Sequence, residues 1–95
     1  MQLIIGLLTV DVYIPGSNSL KEKRVIIKGL KDKVRKKFNV SIAEVDYHEK
    51  WQRAKLGIVQ VGNDYSFIEK NIDKIFDIID SNGSLHVVEH TFEFI

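Results

Sequence analysis

Two hydrophobic periods alternate along this chain. From Leu3 to Ile14 the even positions are Ile4, Gly6, Leu8, Val10, Val12 and Ile14, and the odd ones are Leu3, Ile5, Leu7, Thr9, Asp11 and Tyr13. A period of two sends neighbouring side chains to opposite faces of a strand. One face is apolar throughout and the other only in its first half, which predicts a central strand whose second face needs a cover. Pro15-Gly16-Ser17-Asn18 breaks the strand. The period then changes: Ile26, Ile27, Leu30, Val34 and Phe38 recur every three or four residues, the flank of a helix. Ser19 and Glu22 have the spacing of a capping box, so the helix is expected to start there.

After Phe38 the period of two returns. Asn39 to Asp46 is rich in β-branched residues, Tyr47 to Gln52 is polar and aromatic, and Ala54 to Val61 reads as a further strand, so the pair predicts a hairpin. Asn63-Asp64 offers a cap for a second helix with the stripe Ile68, Ile72, Ile75, Phe76 and Ile79. Asn82-Gly83 closes it, with Gly83 expected in a left-handed C-terminal position. Leu85 to Ile95 alternates as an edge strand, with Val88, Phe92 and Phe94 on one side and Glu89, Thr91 and Glu93 largely on the other. The order β-α-β-β-α-β predicts a ferredoxin-like α+β fold, a four-stranded antiparallel sheet with two helices on one face. The 95 residues are expected to make one domain, 1-95. The sheet face away from the helices would then expose Leu3, Ile5 and Leu7, and a homodimer or a partner protein is expected to cover them.

Charge adds an asymmetry that the hydrophobic pattern does not show. The whole chain carries a net charge of only +1, yet between Ser19 and Phe38 the only acids are Glu22 and Asp32. Arg24, Lys28, Lys31 and Arg35 fall at i, i+4, i+7 and i+11, nearly superposed down the helix axis, with Lys21, Lys33 and Lys36 beside them. The second helix is mildly acidic, with Glu69, Asp73, Asp77 and Asp80 against Lys70 and Lys74. The composition, 44% hydrophobic and 28% charged, is that of a globular domain. There is no cysteine, which excludes disulfides, thiolate metal sites and thiol catalysis. The apolar N-terminal run meets Asp11 after about ten residues, half of the roughly 20 that a membrane span needs. A cytoplasmic location without membrane association is expected.

Several runs resemble a known family. Gly6-Leu7-Leu8-Thr9-Val10, Ile14-Pro15-Gly16, Ser19-Leu20-Lys21-Glu22-Lys23-Arg24, Phe38 to Asp46 (FNVSIAEVD) and Trp51-Gln52-Arg53-Ala54 together resemble the YlxP-like family of small bacterial proteins of unknown function. The resemblance covers nearly the whole chain and implies a ferredoxin-like fold. It further implies a bacterial cytoplasmic protein whose relatives are often encoded beside transcription and translation factors and a ribosome-maturation factor. It brings no catalytic residue. Tyr47-His48-Glu49-Lys50 before the tryptophan, and Gln60 late in the third strand, depart mildly from the family's pattern.

No group of residues identifies a reaction. Glu44 and Asp46, two apart on a strand, are expected to leave one face at ~7 Å separation, but no nucleophile or metal ligand accompanies them. His86 and His90 are expected on one strand face ~13 Å apart, too far to bind one metal ion together. The loop Pro15 to Ser19 leads into a helix N-terminus that favours an anion, but Glu22 competes for the same donors and no Walker or dinucleotide glycine pattern is present. The third strand lacks the aromatics on which an RNA-recognition motif stacks bases. The basic helix remains: about 20 residues span ~30 Å, enough to lay cations along a phosphate backbone, although such a row also serves simply to solvate a helix. The sequence therefore predicts a non-enzymatic protein, without metal or cofactor, that binds RNA or a ribosomal assembly. Lys21, Arg24, Lys28, Lys31 and Arg35 would carry the contact, with Arg53 and Trp51 as a secondary one. The alternative is a homodimeric protein-interaction or small-ligand regulatory module in which the basic helix only confers solubility.

Overall fold

The computed structural model describes residues 2–95. Six elements follow one another: β1 (Ile4–Tyr13), α1 (Leu20–Lys37), β2 (Ser41–Asp46), β3 (Arg53–Gly62), α2 (Tyr65–Asp80) and β4 (His86–Phe94). The strands form one sheet in the order β2-β3-β1-β4, and every neighbouring pair is antiparallel. This is the ferredoxin-like arrangement that the alternating periods predict. No helix among the described residues is long and apolar enough to cross a membrane.

The core lies between the helices and one sheet face. Ile4, Leu8, Val10 and Val12 of β1 are buried there with Leu56 and Ile58 of β3 and Ile42 of β2. Against them pack Ile27, Leu30 and Val34 of α1 and Ile68, Ile72, Ile75 and Ile79 of α2. The second helix comes very close to the sheet. A Cβ on Gly6 would stand 2.6 Å from Ile68 Cγ2, so the glycine is what lets α2 seat on β1. The buried amide of Gln60 finds a partner in Asn71 Nδ2 of α2 at 3.3 Å.

Helix starts follow the predicted chemistry. Ser19 Oγ accepts from the Glu22 N–H at 3.1 Å, while the Glu22 carboxylate reaches one residue further back than a capping box requires, to the Asn18 N–H. Asp64 Oδ1 accepts from the N–H groups of Ser66 and Phe67 at the start of α2. The end of α2 departs from expectation. Its cap, Ser81, is right-handed and no glycine has a positive φ, so Gly83 lies beyond the helix without a left-handed role.

Two β-bulges also overturn readings made from strict alternation. In β2, Glu44 lies opposite Leu56 and Asp46 opposite Lys55, with Val45 inserted between them. Glu44 therefore points to the helix side and Asp46 to the open side, not to one face. In β4, the register shifts between Glu89 and Val87, leaving Val88 as the extra residue. Val87, rather than the exposed Val88, packs against the core. The same shift separates the two histidines: His86 lies opposite Tyr13 on the open face, and His90 lies opposite Val10 with its ring 4.3 Å from that of Phe76. A bulge reverses the face of every residue beyond it, and neither one is marked here by a glycine.

Candidate functional site

The basic row survives folding as a surface. Arg24, Lys28, Lys31 and Arg35 line one groove between α1 and the edge strand β2, with Ile27 at its base and Asp32 and Glu44 on its walls. The four cations differ in their freedom. Lys28 Nζ lies 2.8 Å from Asp32 Oδ2, and Arg35 Nη2 donates to the Ile42 carbonyl at 3.0 Å. Arg24 and Lys31 make no side-chain hydrogen bond or ion pair among the described residues. The Lys28 ammonium, with help from Arg35 and Lys31, holds the Asp32 carboxyl below the ordinary carboxylate range.

The other sequence-predicted residues are not brought to this groove. Lys21, one turn before Arg24, lines a separate hollow with Gly16, Ser19, Glu22, Val25 and Ile26. Arg53 leaves β3 on the opposite, open side of the sheet. There its Nη2 lies 3.0 Å from Asp11 Oδ1 and its guanidinium carbon sits 4.9 Å from the centre of the Tyr47 ring. The bond to Asp11 is the main reason its protonated form is favoured even beyond that of a free arginine. Trp51 is 56% exposed at the end of the hairpin, beside Asn18 and Lys50, and does not fold back over the sheet. Leu3, Ile5 and Leu7 do lie on the open face, Leu3 exposed and the other two half-buried.

The residue that sequence reasoning missed is Lys23. It is 1% exposed, and its ammonium meets Glu44 Oε2 at 2.8 Å and the carbonyls of Tyr47, Arg53 and His48 at 2.9, 3.2 and 3.4 Å. Three N–H donors therefore face four acceptors, which satisfies a buried charge. One of those acceptors is aimed by unusual backbone: Tyr47 has φ 65°, the left-handed region that a tyrosine seldom adopts. A second link joins the same region. Gln52 Nε2 donates to the carbonyls of Pro15 and Ser17, both at 3.1 Å, and Gln52 O accepts from the Ile14 N–H at 2.8 Å. The blocks SLKEKR, AEVD and WQRA, far apart in the chain, thus converge at one end of the sheet. Their polar residues largely bind one another. Spacing alone could have revealed Lys23, since Lys23, Ile27, Leu30 and Val34 share the buried side of α1.

At the helix N-terminus Ser19 accepts from the Glu22 N–H and the Glu22 carboxylate from the Asn18 N–H, so the chain itself fills part of the place an anion would take. Among the described residues no three His, Cys, Asp or Glu side chains are grouped to hold a metal ion. The paired-carboxylate arrangement is dissolved by the Val45 bulge, with Glu44 bound to Lys23 and Asp46 accepting from the Tyr47 N–H at 2.7 Å.

Fold and site together define a small ferredoxin-like α+β domain, with a cation-lined groove on one side and an uncovered sheet on the other. The chain belongs to the family described as protein of unknown function (DUF503), which it matches over residues 5–92. It is 38% identical over 78 residues to the uncharacterized protein YlxP of Bacillus subtilis (strain 168), covering 82% of this chain and 85% of that one. Among solved structures it is similar to the de novo designed protein Foldit4. That likeness has a TM-score of 0.60 at 14% identity, spans 99% of this chain and 97% of the other, and speaks for the fold alone.

Proposed function

We propose that this protein is a non-enzymatic factor of the bacterial cytoplasm that binds RNA, free or within a ribosomal assembly, through the groove between α1 and β2. The observation that carries the reading is the convergence of Arg24, Lys28, Lys31 and Arg35 on that one groove. Four cations along a helix match the repeat of a phosphate backbone better than any small anion, and they carry no base-reading geometry. Binding is therefore directed to the backbone and weakly selective for sequence. Arg24 and Lys31, without side-chain partners among the described residues, supply most of the contact. Trp51 stands apart from the row at the hairpin end, where a base leaving the backbone track can stack on it. Arg53, held by Asp11 on the other side of the sheet, has no part in it.

Fluorescence anisotropy of labelled structured and single-stranded RNA, titrated with the protein from about 50 to 200 mM salt, tests this. Four phosphate contacts give a log–log salt slope of about −3. The double variant Arg24→Glu/Lys31→Glu, which breaks no internal bond, should abolish binding while its circular dichroism stays unchanged. Absence of binding at the lowest salt, or binding that the variant retains, overturns the reading.

A further inference from the structure

The open face of the sheet is graded from one end to the other. Its rows follow from the strand registers: Ile5 beside Val61, Leu7 beside Val59, Thr9 beside Gly57, Asp11 beside Lys55 and Tyr13 beside Arg53. Ile95, whose N–H bonds to Ile5 O, extends the first row on β4, and Leu3 lies just before it. Val61 is 59% and Leu3 61% exposed. Along β1 and β3 one end of the face is therefore apolar and the other charged; between them the exposed Val45 side chain lies over Gly57, and Glu93 flanks Leu7 on β4. We propose that a second copy of this chain covers this face, related by a two-fold axis that runs along the strands, midway between β1 and β3.

Area and charge both select that occupant and that axis. Four strands at ~4.8 Å spacing and about ten residues at ~3.3 Å make a face of roughly 600 Å². A pair of such faces reaches about 1,200 Å² only when they overlap completely, and that is near the lower limit for a stable dimer. An overlap of the apolar rows alone falls far short, so the charged end must also find a partner. Rotation about an axis along the strands lays β1 of one copy over β3 of the other without reversing the rows. Ile5 then lies over Val61 of the second copy and Leu7 over Val59. Thr9 meets Gly57 and the Val45 side chain that lies over it. Asp11, largely buried and already bound to Arg53 of its own chain, lies over Lys55 of the second copy, and Lys55 over its Asp11, so the carboxylate is shared between two cations. Lys55 makes no ion pair within its own chain among the described residues, and this contact supplies one twice over. The alternative in-plane axis, across the strands, lays Ile5 and Leu7 on the charged rows and leaves Lys55 against apolar side chains without a carboxylate. Like charges meet only at the rim, Glu89 over Asp46, where water screens them. The helices and the basic groove lie on the other side, so dimerisation neither requires nor blocks contact with RNA.

Sedimentation velocity of the full chain from about 1 to 300 μM should show a dimer, with a dissociation constant in the micromolar range for an interface of this size. Leu7→Glu should give a monomer with an unchanged circular dichroism spectrum. Should that variant fail to fold, Val61→Lys, at a position already open to water, serves instead. Lys55→Glu should weaken the dimer by about a hundredfold, because the two-fold axis turns one substitution into two like-charge contacts. Because the chain has no cysteine, Leu7→Cys and Val59→Cys chains mixed under oxidising conditions should yield a disulfide-linked heterodimer. A monomer at every concentration, or a dimer that survives both Leu7→Glu and Val61→Lys, overturns the proposal. A dimer that ignores Lys55→Glu and forms no mixed disulfide overturns the axis.

Discussion

Lys23 and Lys28 leave the same helix five residues apart, and each places its ammonium 2.8 Å from a carboxylate oxygen. By distance the two ion pairs are identical. By surroundings they have little in common: the Lys23 side chain is 1% exposed against Glu44 at 16%, whereas Lys28 is 76% exposed against Asp32 at 49%. Lys23 joins α1 to β2 and to both ends of the hairpin, and the protein has built four acceptors around it. Lys28 joins two positions of one helical turn, and water does most of the work. In a sequence whose first helix is crowded with lysine, the same letter therefore serves two ends: one lysine holds the fold together, while its neighbours present charge to the outside.

The largest effect should come from Lys23→Met, which keeps the length of the side chain but leaves Glu44 and three carbonyls without their cation. Urea unfolding should show a loss of about 3–5 kcal/mol, the cost of breaking a buried pair from one side. A loss no greater than that of Lys28→Met would break the comparison. Glu44→Gln is milder, because the amide oxygen still accepts a hydrogen bond and three carbonyls remain. A loss of about 1–3 kcal/mol is expected in the same measurement, unchanged in 1 M salt because the pair is screened from solvent. The smallest effect belongs to the exposed pair. The folded-state pKa of Asp32 is lowered, chiefly by its hydrogen bond to Lys28. Its stabilising contribution is therefore present above the unfolded value and fades as the pH falls through the folded one. An NMR titration should place the Asp32 midpoint below 3.8, and Lys28→Ala should move it upward with no resolvable change in the urea midpoint.

The architecture was legible in the sequence because each element announces itself at its own period. The stripe Ile68, Ile72, Ile75, Ile79 and the alternation of β1 leave few other folds. What strict alternation could not show is where a strand inserts a residue. Val45 and Val88 are β-branched like their neighbours and carry no mark of a bulge, so Asp46 and His86 were assigned to the wrong face relative to Glu44 and His90. The candidate groove was legible from the spacing of Arg24, Lys28, Lys31 and Arg35. The placement of Arg53 was not, because its attraction to Asp11 arises only once β3 pairs with β1. Lys23 was hidden by composition: in a lysine-rich helix a charge on the apolar side passes for one more solvated residue.

The two bulges have a bearing on more than register. In the order β2-β3-β1-β4 they fall in the two outermost strands, one on each side. An outermost strand offers unpaired N–H and C=O groups to any other extended chain, and a bulge interrupts that ladder and twists it away. Val45 and Val88 thus act as stops against sideways growth of the sheet into ribbons or fibrils. Both margins of the sheet are blunted in this way, whatever comes to lie on its flat side.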